Sequence, residues 1–83
     1  MNKLLKISKA LSDPTRYKII EILLRDETCA CDLVLPIQKA QPTISLQLKK
    51  LEKLGIIESR KNGKQIIYSI KEKKIAEIFK LFK

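Results

Sequence analysis

The stretch ETCACDLVLPI, residues 27–37, holds both cysteines of the chain, Cys29 and Cys31, with one residue between them. There is no histidine anywhere in the sequence. Thiolates are soft ligands, so this pair suits As(III), Sb(III), Cd(II), Hg(II) or Cu(I) rather than hard cations. Two thiols do not close a structural zinc site, which takes four ligands. Asp32 is a hard and poorly matched third donor. A trigonal ion would therefore need an outside thiol such as glutathione, or a ligand from another chain. Linear Hg(II) or Cu(I) would need no third ligand. The pair could instead act as a redox switch, because two neighbouring thiols at a helix start can oxidise together. It could also be inert, since free cysteine packs as a small hydrophobe.

Which chemistry is open depends on the backbone that carries the thiols. Residues two apart on a continuous helix point about 200° apart, so Cys29 and Cys31 could not converge there. In an extended segment they share a side. Pro36 bears on this, because proline inside a helix loses a hydrogen bond and clashes with the carbonyl four residues back. If Asp32 caps the helix, both cysteines precede it and can converge. If Thr28 caps it, the cysteines diverge, and ligand binding would have to unwind the first turn.

The surrounding elements follow from periodicity and punctuation. Residues 2–11 place Leu4, Leu5, Ile7 and Leu11 on one helical stripe. In SDPTRYKIIEILLR, Asp13 caps a helix whose first residue is Pro14, where a missing N–H costs nothing. Residues 41–55 form the clearest helix, with Pro42 in its first turn, Gly55 at its end, and Ile44, Leu48, Leu51 and Leu54 inward. Residues 55–70 switch to β-branched segments around KNGK, a hairpin signal. Residues 71–83 read as a last amphipathic helix with Ile75, Ile78, Phe79 and Phe82 along one side. The expected fold is mostly α with a β-hairpin wing: four helices, a hairpin and a final helix in one domain over residues 1–83, with a helix-turn-helix corner near IQKAQP.

Charge points to a polyanionic partner. The net charge is +9, and residues 41–83 carry eleven Lys/Arg against four Asp/Glu, whereas residues 1–40 carry seven against five. A basic half of this kind suits nucleic acid or an acidic surface. No apolar run approaches the roughly 18 residues of a membrane span, and the N-terminus lacks the pattern of a secretory signal. A soluble, reducing, cytoplasmic setting is expected, in which a disulfide is not a structural staple.

The 41–54 helix has a face that fits a major groove. With Ile44, Leu48 and Leu51 inward, Thr43, Leu46, Lys49, Lys50 and Lys53 point outward and Ser45 and Gln47 lie on the flanks. Short hydrogen-bonding groups (Gln41, Thr43, Ser45, Gln47) would meet base edges, and Lys49, Lys50 and Lys53 would meet phosphates. Leu46 could pack on a thymine methyl. Arg60, Lys61 and Lys64 at the hairpin tip could follow the backbone or a minor groove. Enzymatic chemistry finds no support: histidine is absent, there is no Gly-rich phosphate loop, and C-x-C is not the C-x-x-C of thiol oxidoreductases. A winged helix that binds RNA or protein is the remaining alternative.

ALSDPTRYKIIEIL, CACDL, QPTISLQLKKLEKLGII and RKNGKQIIYSI together resemble the ArsR/SmtB family of metal-responsive transcriptional repressors, over most of the chain from Ala10 to Ile70. The resemblance implies a winged helix-turn-helix homodimer on a pseudo-palindromic operator, released by an inducer. It implies pairing through the first and last helices, which here assigns Leu4, Leu5, Ile75, Ile78, Phe79 and Phe82 to the interface. CACDL resembles the C-V-C-D-L-C signature of the family's arsenic and antimony sensors, matching Cys29 and Cys31 to its first two thiols. The third thiol position is Val34. The histidine-based Zn(II), Ni(II) or Co(II) sites of other members have no counterpart here.

Overall fold

The computed structural model describes residues 2–81. Helix α1 spans Lys3–Leu11 and α2 spans Pro14–Arg25. Asn2 caps α1 by accepting the Leu5 amide at 2.8 Å, and Asp13 caps α2 by accepting the Arg16 amide at 3.0 Å. The Asp13 cap and Pro14 at the first helical position start α2 directly after α1 ends. A short strand, β1 (Thr28–Cys29), follows, then a 3-10 turn over Ala30–Leu33 and a four-residue helix, α3 (Val34–Ile37). Helix α4 covers Gln41–Lys53, strands β2 (Ile57–Asn62) and β3 (Gln65–Ile70) form the hairpin, and α5 covers Ile75–Leu81. None of the described helices is long and apolar enough to cross a membrane.

Helix α4 ends in a double-bonded cap. The Ile56 amide donates to the Leu51 carbonyl at 3.1 Å, and the Gly55 amide donates to Glu52 at 3.0 Å. Gly55 has φ +79, the left-handed conformation that only glycine adopts without strain. This motif reverses the chain and places Ile56 against the core.

The hairpin register pairs Asn62 with Gln65, so the loop is Gly63–Lys64. A two-residue loop at Asn62-Gly63 would put Lys64 outside the turn. Instead Gly63, with φ +65, holds the first loop position, which is the glycine requirement of a type II′ turn.

The expected element order lacked β1. Thr28 pairs with Tyr68 and Cys29 with Ile67, giving a three-stranded antiparallel sheet in the order β1-β3-β2. One core of Ile7, Leu11, Ile19, Ile20, Leu33, Ile44, Leu48, Leu51, Ile56, Ile57, Ile75 and Phe79 joins the helices to this sheet. The last helix starts at Ile75 rather than Lys71. The Lys71 and Glu72 amides both donate to the Ile56 carbonyl, at 2.9 and 3.1 Å, and hold that segment as a turn.

The residues expected at a dimer interface differ in their burial within one protomer. Ile75 is 0% exposed and Phe79 4% within one protomer, and Phe79 stacks on Tyr17 of α2 with ring centroids 4.6 Å apart. Their side chains complete the protomer's own core. Ile78 is half-buried, while Leu4, Leu5 and Leu81 are 61%, 55% and 82% exposed. Phe82 lies outside the described residues.

Candidate nucleic-acid interface and thiol pair

Helix α4 presents the face its spacing dictates. Ile44, Leu48 and Leu51 are fully buried. Gln41, Thr43, Leu46, Lys49, Lys50 and Lys53 are exposed, and Ser45 and Gln47 are half-buried. The two half-buried residues sit on opposite flanks of the buried stripe, because successive residues turn by about 100°. On one flank, Ser45 and Gln41 line a cleft of about 280 Å³ with Cys29, Cys31, Tyr68 and Lys64. On the other, Gln47 Oε1 accepts a hydrogen bond from Arg16 Nη1 at 3.0 Å. Gln47 is thus fixed by α2, a partnership its sequence position did not disclose.

In the hairpin, Lys61 and Lys64 are exposed. Arg60 is not free: its guanidinium forms an ion pair with Glu27, the residue before β1. The hydrogen bond to Glu27 holds the Arg60 guanidinium above its already high ordinary pKa. Tyr68, on the middle strand and buried, has its phenol pKa raised by that burial and by the Glu52 charge.

The backbone at the cysteines resolves the capping question with a third answer. Cys29 itself is the cap residue of the 3-10 turn, with extended dihedrals of φ -95 and ψ 165. It ends β1, while Cys31 lies in the turn's first residues. A strand-to-turn junction lets both side chains converge, and the two sulfurs are joined as a disulfide with Cα atoms 5.5 Å apart. Neither Thr28 nor Asp32 begins the helix. Pro36 is the third residue of α3, among first-turn positions whose N–H has no partner within the helix, so it costs no bond. Gln38, with φ 61, ends α3 and turns the chain toward α4.

Cys29 is 4% exposed, whereas Cys31 and Asp32 are exposed. The two sulfurs and an Asp32 carboxylate oxygen lie within 4.8 Å of one another. In reduced form this donor set fits a soft ion on two thiolates, with a weak hard donor alongside.

Among the described residues, five helices and a winged hairpin around one core, with the cation-bearing α4 exposed beside the hairpin, define a winged helix-turn-helix protein. The family model for bacterial regulatory proteins of the arsR family matches residues 13–59. The cadmium resistance transcriptional regulatory protein CadC of Listeria innocua is 42% identical over 74 residues, which covers 88% of this chain and 62% of that protein. The chain therefore spans under two thirds of that relative's length. The crystal structure of the transcriptional repressor BigR from Xylella fastidiosa superimposes with a TM-score of 0.89 at 36% identity, covering 98% of this chain and 83% of the other. A homodimeric winged helix-turn-helix DNA-binding domain from Mycobacterium bovis gives a TM-score of 0.83 at 25% identity, covering 96% and 74%. The chain belongs to the ArsR family of winged-helix transcriptional regulators and is not an enzyme.

Proposed function

We propose that the protein is a homodimeric repressor whose α4 reads a pseudo-palindromic operator, and that a soft thiophilic ion on Cys29 and Cys31 releases it. The observation that carries this reading is the cleft shared by the thiol pair, the reader residues Gln41 and Ser45, and the wing residue Lys64. An occupant on the thiols is therefore next to the groups that would meet DNA. Such an occupant weakens DNA binding by contact, and DNA binding weakens the occupant by the same factor. In the two-fold dimer the two α4 helices would enter major grooves about 34 Å apart. Exposed Leu4, Leu5 and Leu81, with half-buried Ile78, supply the apolar surface for pairing. The likeness to a cadmium regulator supports the choice of a soft ion. When bound, the ion supplies two metal–thiolate bonds that fix the β1–turn junction.

A second reading is favoured by the disulfide itself. Two thiols give two protons and two electrons to one peroxide molecule, which leaves as two waters, and the pair closes. Both readings use the same residues and are separated by one experiment. DNA binding by reduced wild type and by Cys29→Ser/Cys31→Ser is measured with As(III), with Cd(II) and with hydrogen peroxide. Release by an ion, lost in the double variant, supports metal sensing; release by peroxide alone, equally lost, supports the switch. Release that persists unchanged in the double variant overturns both. A palindromic promoter fragment bound no better than random duplex at every salt concentration overturns the repressor reading.

A further inference from the structure

Arg16 sits where three helices meet. Its Nη2 donates to the Lys9 carbonyl at the end of α1, at 3.2 Å. Its Nη1 donates to Gln47 on α4, at 3.0 Å. Its Nε is buried and has no partner. A guanidinium carries five N–H donors, and the two bonds account for only part of them. Around this side chain, Lys9, Arg16, Lys50, Lys53 and Leu54 line a cleft of about 430 Å³. Four cationic residues border it, and no carboxylate is among the lining residues. Neither ion pair among the described residues involves any of the four. Like charges around one cleft favour the entry of an anion.

We infer that this cleft is the seat of a DNA backbone phosphate, on the flank of α4 opposite the wing. The inference rests on the DNA-binding reading above and extends it to Lys9 and Arg16. The wing cleft lies beside Ser45 and the Arg16 cleft beside Gln47, so α4 is bracketed by cations on both sides. A helix in the major groove runs between two phosphate backbones, and bracketing cations set its depth and register. Arg16 suits the seat because its planar fork matches two phosphate oxygens at once. By bonding Gln47 as well, it couples the phosphate contact to the position of a reader side chain. Arg16 is in this sense a positioning residue.

The test uses the full chain and a short random-sequence duplex at low salt, where binding is through phosphates alone. Lys9→Gln and Lys50→Gln change exposed side chains and leave the fold intact. Each is expected to weaken binding by roughly threefold to tenfold and to reduce the slope of log K against log salt by about 0.9 per bound protomer. Arg16→Lys keeps the charge but loses the fork, and should bind less tightly with the slope retained, whereas Arg16→Gln should lose both. Lys73→Gln on the far end of the chain should match wild type, and Lys61→Gln on the wing should lose slope. If Lys61→Gln behaves so while Lys9→Gln and Lys50→Gln match wild type, the seat is wrong and the DNA-binding reading stands. If wild type binds no duplex at any salt, the DNA-binding reading fails first. Inorganic phosphate alone separates the remaining source. If it saturates the cleft, reported by NMR shifts of Lys9 and Lys50, while both variants retain the wild-type salt slope, the cleft serves a small anion and the DNA assignment is overturned.

Discussion

Arg60 on β2 is tied to Glu27 just ahead of β1, thirty-three residues earlier in the chain. The pair crosses the sheet between the wing and the strand that ends in Cys29. It neutralises one of the cations of the proposed DNA-binding surface, and it links the wing to the thiol segment. Glu27→Gln removes the anion and frees the guanidinium. Duplex affinity at low salt should rise a few-fold, with the gain vanishing at high salt because it is electrostatic. Thermal stability should barely change, since exposed ion pairs contribute little. A titration of affinity against salt for both proteins checks this, and equal curves would mean Arg60 never meets the DNA.

The two cysteines should differ in their structural cost. Cys29 is buried in β1 opposite Ile67, whereas Cys31 is exposed. In reduced protein, Cys29→Ser puts a hydroxyl in an apolar place and should cost about 1–3 kcal/mol. Cys31→Ser should be near neutral. The melting temperature of a domain this size moves by about 4–8 °C per kcal/mol, so the two single variants separate clearly in a melt under reductant. Either one alone should abolish a response that needs both sulfurs.

Much of the fold was legible because its signals were local. Asp13-Pro14, Pro42 and Gly55 marked helix ends, and the Ile44, Leu48, Leu51 spacing fixed which face of α4 is exposed. What was not legible depended on partners distant in sequence. A two-residue strand has too short a pattern to distinguish from a helix start, and β1 exists only because β3 lies beside it. Phe79 stacks on Tyr17, a partner that no amphipathic stripe reveals. Arg16 carried no motif of its own, and its contacts to Lys9 and Gln47 arise only when α1 and α4 close on α2. The thiol geometry fell between the two capping alternatives for the same reason: strand pairing holds Cys29 extended, and the 3-10 turn begins at once.

Gly55 offers a clean measure of backbone strain. Its φ is +79, and an added Cβ would meet nothing within 4 Å. Gly55→Ala therefore adds no clash, and the whole cost is that of a left-handed L-residue, about 1–2 kcal/mol. Asparagine tolerates this region better, so Gly55→Asn should cost less. Chemical denaturation of the three proteins checks the order, and equal midpoints for alanine and glycine would mean the α4 cap rearranges.

Glu72 should make stability fall in acid. Its carboxylate accepts the Lys74 amide at 3.0 Å, which is the main reason its pKa lies below the ordinary value near 4.5; Lys3, at 3.4 Å, adds to it, and burial opposes it. A depressed carboxylate stabilises the fold fully above its ordinary pKa, and the contribution disappears as pH falls through the depressed value. Melting temperature should therefore decline from about pH 5 downward. Glu72→Gln should start lower near neutral pH and decline less. Parallel acid limbs for the two proteins would show that other carboxylates carry the effect.

Leu46 and Leu48 are two residues apart on α4 and should have separate roles. Leu48 is 0% exposed and Leu46 is 53% exposed. Leu48→Ala removes core volume that its neighbours cannot refill and should cost about 2–5 kcal/mol. That is a large share of the stability of so small a domain. Leu46→Ala should leave the melt unchanged, because its side chain contacts solvent. If Leu46 packs on a thymine methyl, the variant loses its preference for thymine at one position of each half-site while affinity for random duplex stays the same. Selection of binding sites from a random pool with wild type and Leu46→Ala measures this directly. Identical selected sites would remove Leu46 from the reading face and leave sequence choice to Gln41, Thr43, Ser45 and Gln47.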